Sequence, residues 1–155
     1  PIFGTLRTMK RNKYLQKNPI TGVGWQVFSE VSFDLSALDI GPHAKALISE
    51  MNAAIKSGLP IVVIILAATI VDVLSNEDNV VQGYQDNASG IGMDWLTAAE
   101  RRQLDWLRGL RNRLVHYEGV IAGMGGTDFD QELLRKDANK ALLAISPLLS
   151  GLEQF

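Results

Sequence analysis

Beyond residue 41, apolar residues recur with a helical period; before it they follow no clear one. Ala44, Leu47, Ile48, Met51 and Ile55 stand at i, i+3, i+4, i+7 and i+11, a single stripe along a helix. Pro42 suits a first helical position, where its missing N–H costs nothing. Gly58 supplies a left-handed stop, and Pro60 opens the next helix. Residues 42–57 and 60–75 are therefore predicted to form an antiparallel helical hairpin. The second of these helices is apolar on nearly all sides. Its β-branched run Ile61-Val62-Val63-Ile64-Ile65 would also suit a buried strand, but a stretch this long without a turn signal favours a buried core helix. Asp72 stands alone among apolar neighbours there. Either it meets a cation or several donors, because a buried lone carboxylate is costly, or it is a helix-end acid that has reached solvent.

Residues 76–94 are rich in Asn, Asp and Gly and read as a long loop, a functional lid or a mobile connector. Thr97-Ala98-Ala99-Glu100 then forms a capping box. The stretch 97–118 continues with Leu104, Leu107, Leu110 and Leu114 toward the core, and Gly119 and Gly123 end it. Gly123-Met124-Gly125-Gly126 precedes a helix, where anions can bind. Yet no strand leads into it, no lysine follows, and Asp128 and Asp130 would repel phosphate, so a connector is the better reading. A last helix begins at Thr127, with Leu134, Ala138, Ala141, Leu142, Ile145 and Leu149 as its inner stripe. Pro147 is expected to bend its end.

The N-terminal part is less periodic. Residues 1–24 are polar and broken by Asn18-Pro19, Gly22 and Gly24, which signals an irregular arm. Residues 25–38 fit both an alternating and a helical spacing. Helix is the weak preference, because nothing later offers a strand partner. The expected organisation is an arm and linker over residues 1–40, followed over residues 41–155 by an all-α bundle of four or five helices.

Composition narrows the field further. The chain has 155 residues, 46% hydrophobic and 21% charged, as in a globular protein that needs no staples. It has no cysteine, so disulfides and thiolate metal sites are excluded. That fits a reducing, cytoplasmic setting. No secretory signal is apparent, and the apolar run at residues 61–71 is far shorter than the roughly 20 residues that span a bilayer. No membrane or metal partner is therefore expected, and no cofactor. The net charge of −2 conceals an uneven layout. Arg7, Lys10, Arg11, Lys13 and Lys17 face no acid in residues 1–17, leaving 10 bases against 17 acids in the remainder. Such a basic arm can touch phosphate, or it is simply a solvated or partner-clasping tail.

The chemistry concentrates in residues 97–118, which hold five of the eight arginines and one of the two histidines. Asn112 and His116 are four apart and share one face, with Arg108 one turn before Asn112. Arg111 lies about 140° from His116, although its long stem can swing toward that face. A guanidinium, an amide and an imidazole suit phosphoryl chemistry on RNA. The imidazole can move a proton on or off a ribose 2′-hydroxyl, and the guanidinium can offset charge in the transition state. Acid and base roles need two groups, so a homodimer would supply a second His116. A plainer reading has the late arginines and His116 only complementing the helix C-terminal dipole. His43, beside Pro42, reads as a surface residue. Trp25, Trp95 and Trp106 read as core or interface anchors.

Arg111-Asn112-Arg113-Leu114-Val115-His116 resembles the Arg-polar-x(3)-His motif of the HEPN superfamily. The apolar helix that carries Asp72 is similar to the one ahead of that motif in many members, including its acid. The resemblance spans roughly residues 41–150. It implies a homodimeric helical bundle and a metal-independent endoribonuclease of a stress, toxin–antitoxin or defence system. Arg111 and His116 would then be catalytic at the dimer cleft, with Asn112 positioning them and Asp72 as a supporting acid. Arg108, Arg113 and Tyr117 would bind substrate. The implied partners are RNA or a nucleotide, a second copy, and an antitoxin chain. In members paired with a nucleotidyltransferase antitoxin a tyrosine lies two places after the histidine. Here Tyr117 follows at once and Glu118 takes that place, a departure that bears on the antitoxin and the modification. Some members are binding or scaffolding units, so a non-catalytic nucleotide-binding or protein-interaction module is the alternative.

Overall fold

Four α-helices make up most of the described chain: α1 (Pro42–Lys56), α2 (Pro60–Val81), α3 (Ala98–His116) and α4 (Asp128–Gly151). The computed structural model describes residues 31–81 and 95–153. The basic segment at residues 1–17, Trp25 and residues 82–94 lie outside them. The all-α bundle expected from periodicity is what forms.

The hairpin of α1 and α2 turns at Gly58, whose φ of 71° is open to glycine at no steric cost. On α1 the buried face is Ala44, Ile48, Met51, Ala54 and Ile55, the periodic stripe with one alanine added. Helix α2 packs against each of the other three. That is why its sequence lacks a polar side: Val63, Ile64, Ala67, Ala68, Ile70 and Val71 are all buried. A helix apolar all round is one enclosed by neighbours. Helix α3 contributes Leu104, Leu107 and Leu110 to the core. Helix α4 contributes the predicted stripe from Leu134 to Leu149. Leu114 is only partly buried at the core's edge.

The ends of the helices follow local chemistry. Thr97 caps α3 through the Glu100 N–H while Glu100 accepts from the Thr97 N–H. Thr127 and Asp130 repeat that capping box on α4. Asp130 also accepts from the Thr127 hydroxyl, and these bonds hold its carboxyl below the usual carboxylate range. A carboxylate of the chain itself therefore fills the helix terminus that follows the glycine loop. Helix α4 runs on past Pro147 to Gly151. There Trp95 donates its indole N–H to the Pro147 carbonyl.

Three expectations are corrected. The preference for helix fails over residues 31–38, which are extended around a 3-10 turn at Leu35–Ala37. Val31 and Phe33 are buried while Ser32 and Asp34 are exposed, the alternation of a strand. Asp34 accepts from the Ser36 N–H and hydroxyl. Asn52 of α1 accepts from the Phe33 N–H and donates to its carbonyl. These bonds occupy backbone groups that a helix would need. A partner does come later in the chain: Leu38 bridges Glu153, and the Asp39 N–H donates to the Leu152 carbonyl. The second correction is the length of α2, which continues from residue 76 to Val81 through what read as loop; no Gly or Pro interrupts it before Gly83. Third, α3 stops at His116, and its left-handed cap falls on Tyr117, ahead of Gly119, whose φ is positive as well.

Candidate active site

One carboxylate on α2 gathers two arginines of α3. Arg108 and Arg111 are three residues apart, so they project about 60° from each other around the helix. Both reach Asp72, Arg108 through Nε to Oδ1 at 3.0 Å and Arg111 through Nη2 to Oδ2 at 2.9 Å. Ser75, one turn beyond Asp72 on α2, accepts from Nη2 of Arg108 at 3.4 Å. Arg111 also donates Nε–H to Oδ1 of Asn112 at 2.9 Å. Asp72 thus meets cations, as a carboxylate in apolar company should, and still keeps 35% of its side chain exposed. The arginines are 25% and 20% exposed. Two guanidiniums on one carboxylate leave a local charge of +1. The pair is held by charge-assisted bonds at a surface that remains open to a ligand.

The other candidates stand apart from that network. His116 ends α3 exposed, and it makes no hydrogen bond or ion pair among the described residues. Arg111 has turned toward Asp72 and Asn112, so a single chain does not join its guanidinium to the His116 imidazole. Arg113 is partly buried and faces α4, where its charge and that of Lys140 bear on Asp137. Burial nevertheless pushes the Asp137 carboxyl above its ordinary value. Lys140 lies over the Trp106 ring, 4.1 Å from its centroid, a cation–π contact that ties α3 to α4. Tyr117 projects into solvent, 81% exposed. His43 is exposed on the first turn of α1.

Sequence reasoning missed Ser75 and Asp137. Ser75 had a legible signal: Asp72 and Ser75 are at i and i+3 on a buried helix, so they share a face. Asp137 had half of one: Lys140 lies three residues on along the same helix, whereas Arg113 meets it only through the packing of α3 on α4. Among the described residues no group of three or more His, Asp or Glu could hold a metal ion, and no helix is long and apolar enough to cross a membrane.

In comparison with known proteins, the chain matches no family model, no curated protein and no solved structure.

Proposed function

We infer that this chain is an RNA-cleaving domain of HEPN type that works as a homodimer without a metal. The observation that carries the reading is the clamp on Arg111. Asp72 and Asn112 fix its guanidinium from two sides, while His116 stands exposed and unengaged at the end of the same helix. A held cation and an exposed imidazole free to exchange protons are the two unlike requirements of phosphodiester cleavage.

In the proposed reaction His116 takes the proton of a ribose 2′-hydroxyl. The 2′-oxygen attacks the adjacent phosphorus, the bond to the 5′-oxygen breaks, and a 2′,3′-cyclic phosphate forms. The leaving 5′-oxygen takes a proton from the His116 of a second copy. Arg111 offsets the charge that grows on the non-bridging oxygens, and Arg108, through its share of Asp72, keeps Arg111 from swinging away. Two copies also answer the separation within one chain, since the histidine of one can approach the arginine of the other.

The test is cleavage of single-stranded RNA in excess EDTA by the purified chain, with the ends identified by chemistry. The expected products are 2′,3′-cyclic phosphate and 5′-hydroxyl ends, lost in His116→Ala. Cleavage by that variant at the wild-type rate would defeat the proposal.

A second reading is a binding module that uses the same face without turnover. The observation favouring it is the run of exposed apolar side chains at Val115, Tyr117, Val120, Met124 and Phe129, a common mark of an interaction surface. It predicts RNA binding that falls steeply with salt and weakens in Arg111→Ala, with no cyclic phosphate formed.

A further inference from the structure

At the C-terminal end of α3 lies a small cavity that the proposed cleavage chemistry does not use. It measures about 180 Å³ and is lined chiefly by Leu114, Ile121, Met124, Val120, Tyr117 and Arg113. The lining is apolar except at Arg113 and the Tyr117 hydroxyl. Arg113 makes no ion pair among the described residues, although the half-buried Asp137 is near enough to feel its charge.

The lining residue Tyr117 has φ 53° and ψ 53°, and it is the one non-glycine residue with positive φ among the described residues. A bulky L side chain rarely adopts this conformation, which costs free energy. A helix stop of this kind ordinarily falls to glycine. Burial does not explain the choice either, since the ring is 81% exposed. The conformation leaves an aromatic side chain among the residues that line an apolar cavity, one residue beyond His116.

We propose that this cavity is a nucleobase subsite, in which one base of a single-stranded RNA stacks on Tyr117 above the Leu114, Ile121 and Met124 surface while Arg113 meets the neighbouring phosphate. The inference rests on α3 being an RNA-handling helix and names the part of the substrate that its last turn grips. Every base offers a π-face that stacks on an aromatic ring. Arg113 in the lining offers a guanidinium, which suits a phosphate and has no role toward a purely apolar side chain. The volume admits one ring system and is too small for a packed helix. Tyr117, one of the lining residues, directly follows His116 in the chain.

The experiment is a double-mutant cycle on binding with a probe that cannot be cleaved. A fluorescein-labelled 2′-deoxy tetranucleotide is titrated with the full chain by anisotropy, alongside four versions, each abasic at one position. Protein variants are Tyr117→Gly and Arg113→Gln; glycine accepts the left-handed backbone, and denaturation midpoints check the fold of both. Tyr117→Gly is expected to weaken binding about fivefold or more. One abasic position should weaken binding to wild type and cost nothing further in Tyr117→Gly. Arg113→Gln should weaken all probes and lessen the salt dependence. Additive losses, unchanged binding in Tyr117→Gly, or no binding to the intact probe would overturn the subsite. So would a loss independent of the base that accompanies a shift from dimer to monomer, which would assign the cavity to a protein partner. A positive cycle in a chain that does not cleave RNA in EDTA would sustain the subsite and remove the cleavage reading.

Discussion

Asp72 divides its two oxygens between Arg108 and Arg111, and its removal would release both guanidiniums at once. Asp72→Asn is expected to cost about 1–2 kcal/mol of stability, between the values for exposed and buried ion pairs. Urea denaturation checks this; a loss below the error of the method would mean the arginines are not held. Tyr117→Gly should move the other way. Relief of the left-handed tyrosine is worth about 1–2 kcal/mol, and the flexibility of unfolded glycine returns about 0.5–1 kcal/mol of it. The net result is a midpoint equal to or slightly above wild type, whereas a clear loss would mean that the ring is packed rather than strained. Asp137 has its folded-state carboxyl pushed up by burial against the pull of Lys140 and Arg113. Its ionisation therefore subtracts stability once pH rises above the unfolded value near 3.8. Asp137→Asn should be modestly more stable than wild type at pH 7, with the difference gone below about pH 3.8. An equal difference at both pH values in thermal melts would contradict that assignment.

At the scale of elements, helices with one apolar side were legible because a 3.6-residue period survives in the sequence wherever one face meets solvent. The stripes of α1 and α4 are examples, and both threonine caps carry their acid three residues on. The extended segment before α1 was not legible, since its structure depends on Asn52 and on Leu152 and Glu153, residues far away in sequence. The continuation of α2 was hidden by polar residues that neither favour nor forbid a helix. Nor did α4 announce its close approach to Trp95. A Cβ at Gly151 would lie 2.1 Å from the indole Nε1, and the ring is fixed by its bond to Pro147. Gly151→Ala would ordinarily favour a helix by about 1 kcal/mol. Here the clash should win, giving a net loss of about 1–3 kcal/mol in denaturation experiments. A stabilised variant would show that Trp95 can step aside.

The molecule as a whole separates two tasks along one helix. The middle of α3 is anchored to the core helix α2 through Asp72, and the end of α3 is exposed, apolar and strained. The candidate site was half legible: burial implied that Asp72 would meet a cation or else reach solvent, while the part of Asn112 in positioning Arg111 was implied only by the family resemblance. The distance between Arg111 and His116 was not legible, because it depends on which way a long side chain turns. That separation is what makes a second copy necessary to the proposed reaction. The most direct measurement is the rate at which 2′,3′-cyclic phosphate ends appear on single-stranded RNA in excess EDTA, compared among wild type, His116→Ala, Arg111→Ala and Asp72→Asn. Loss of the proton-transfer group should slow the reaction about 10²–10⁴-fold, and loss of the guanidinium about 10²–10³-fold. Asp72→Asn should fall between those variants and wild type. Cyclic phosphate formed equally fast by wild type and His116→Ala, or none formed by wild type, would contradict the account.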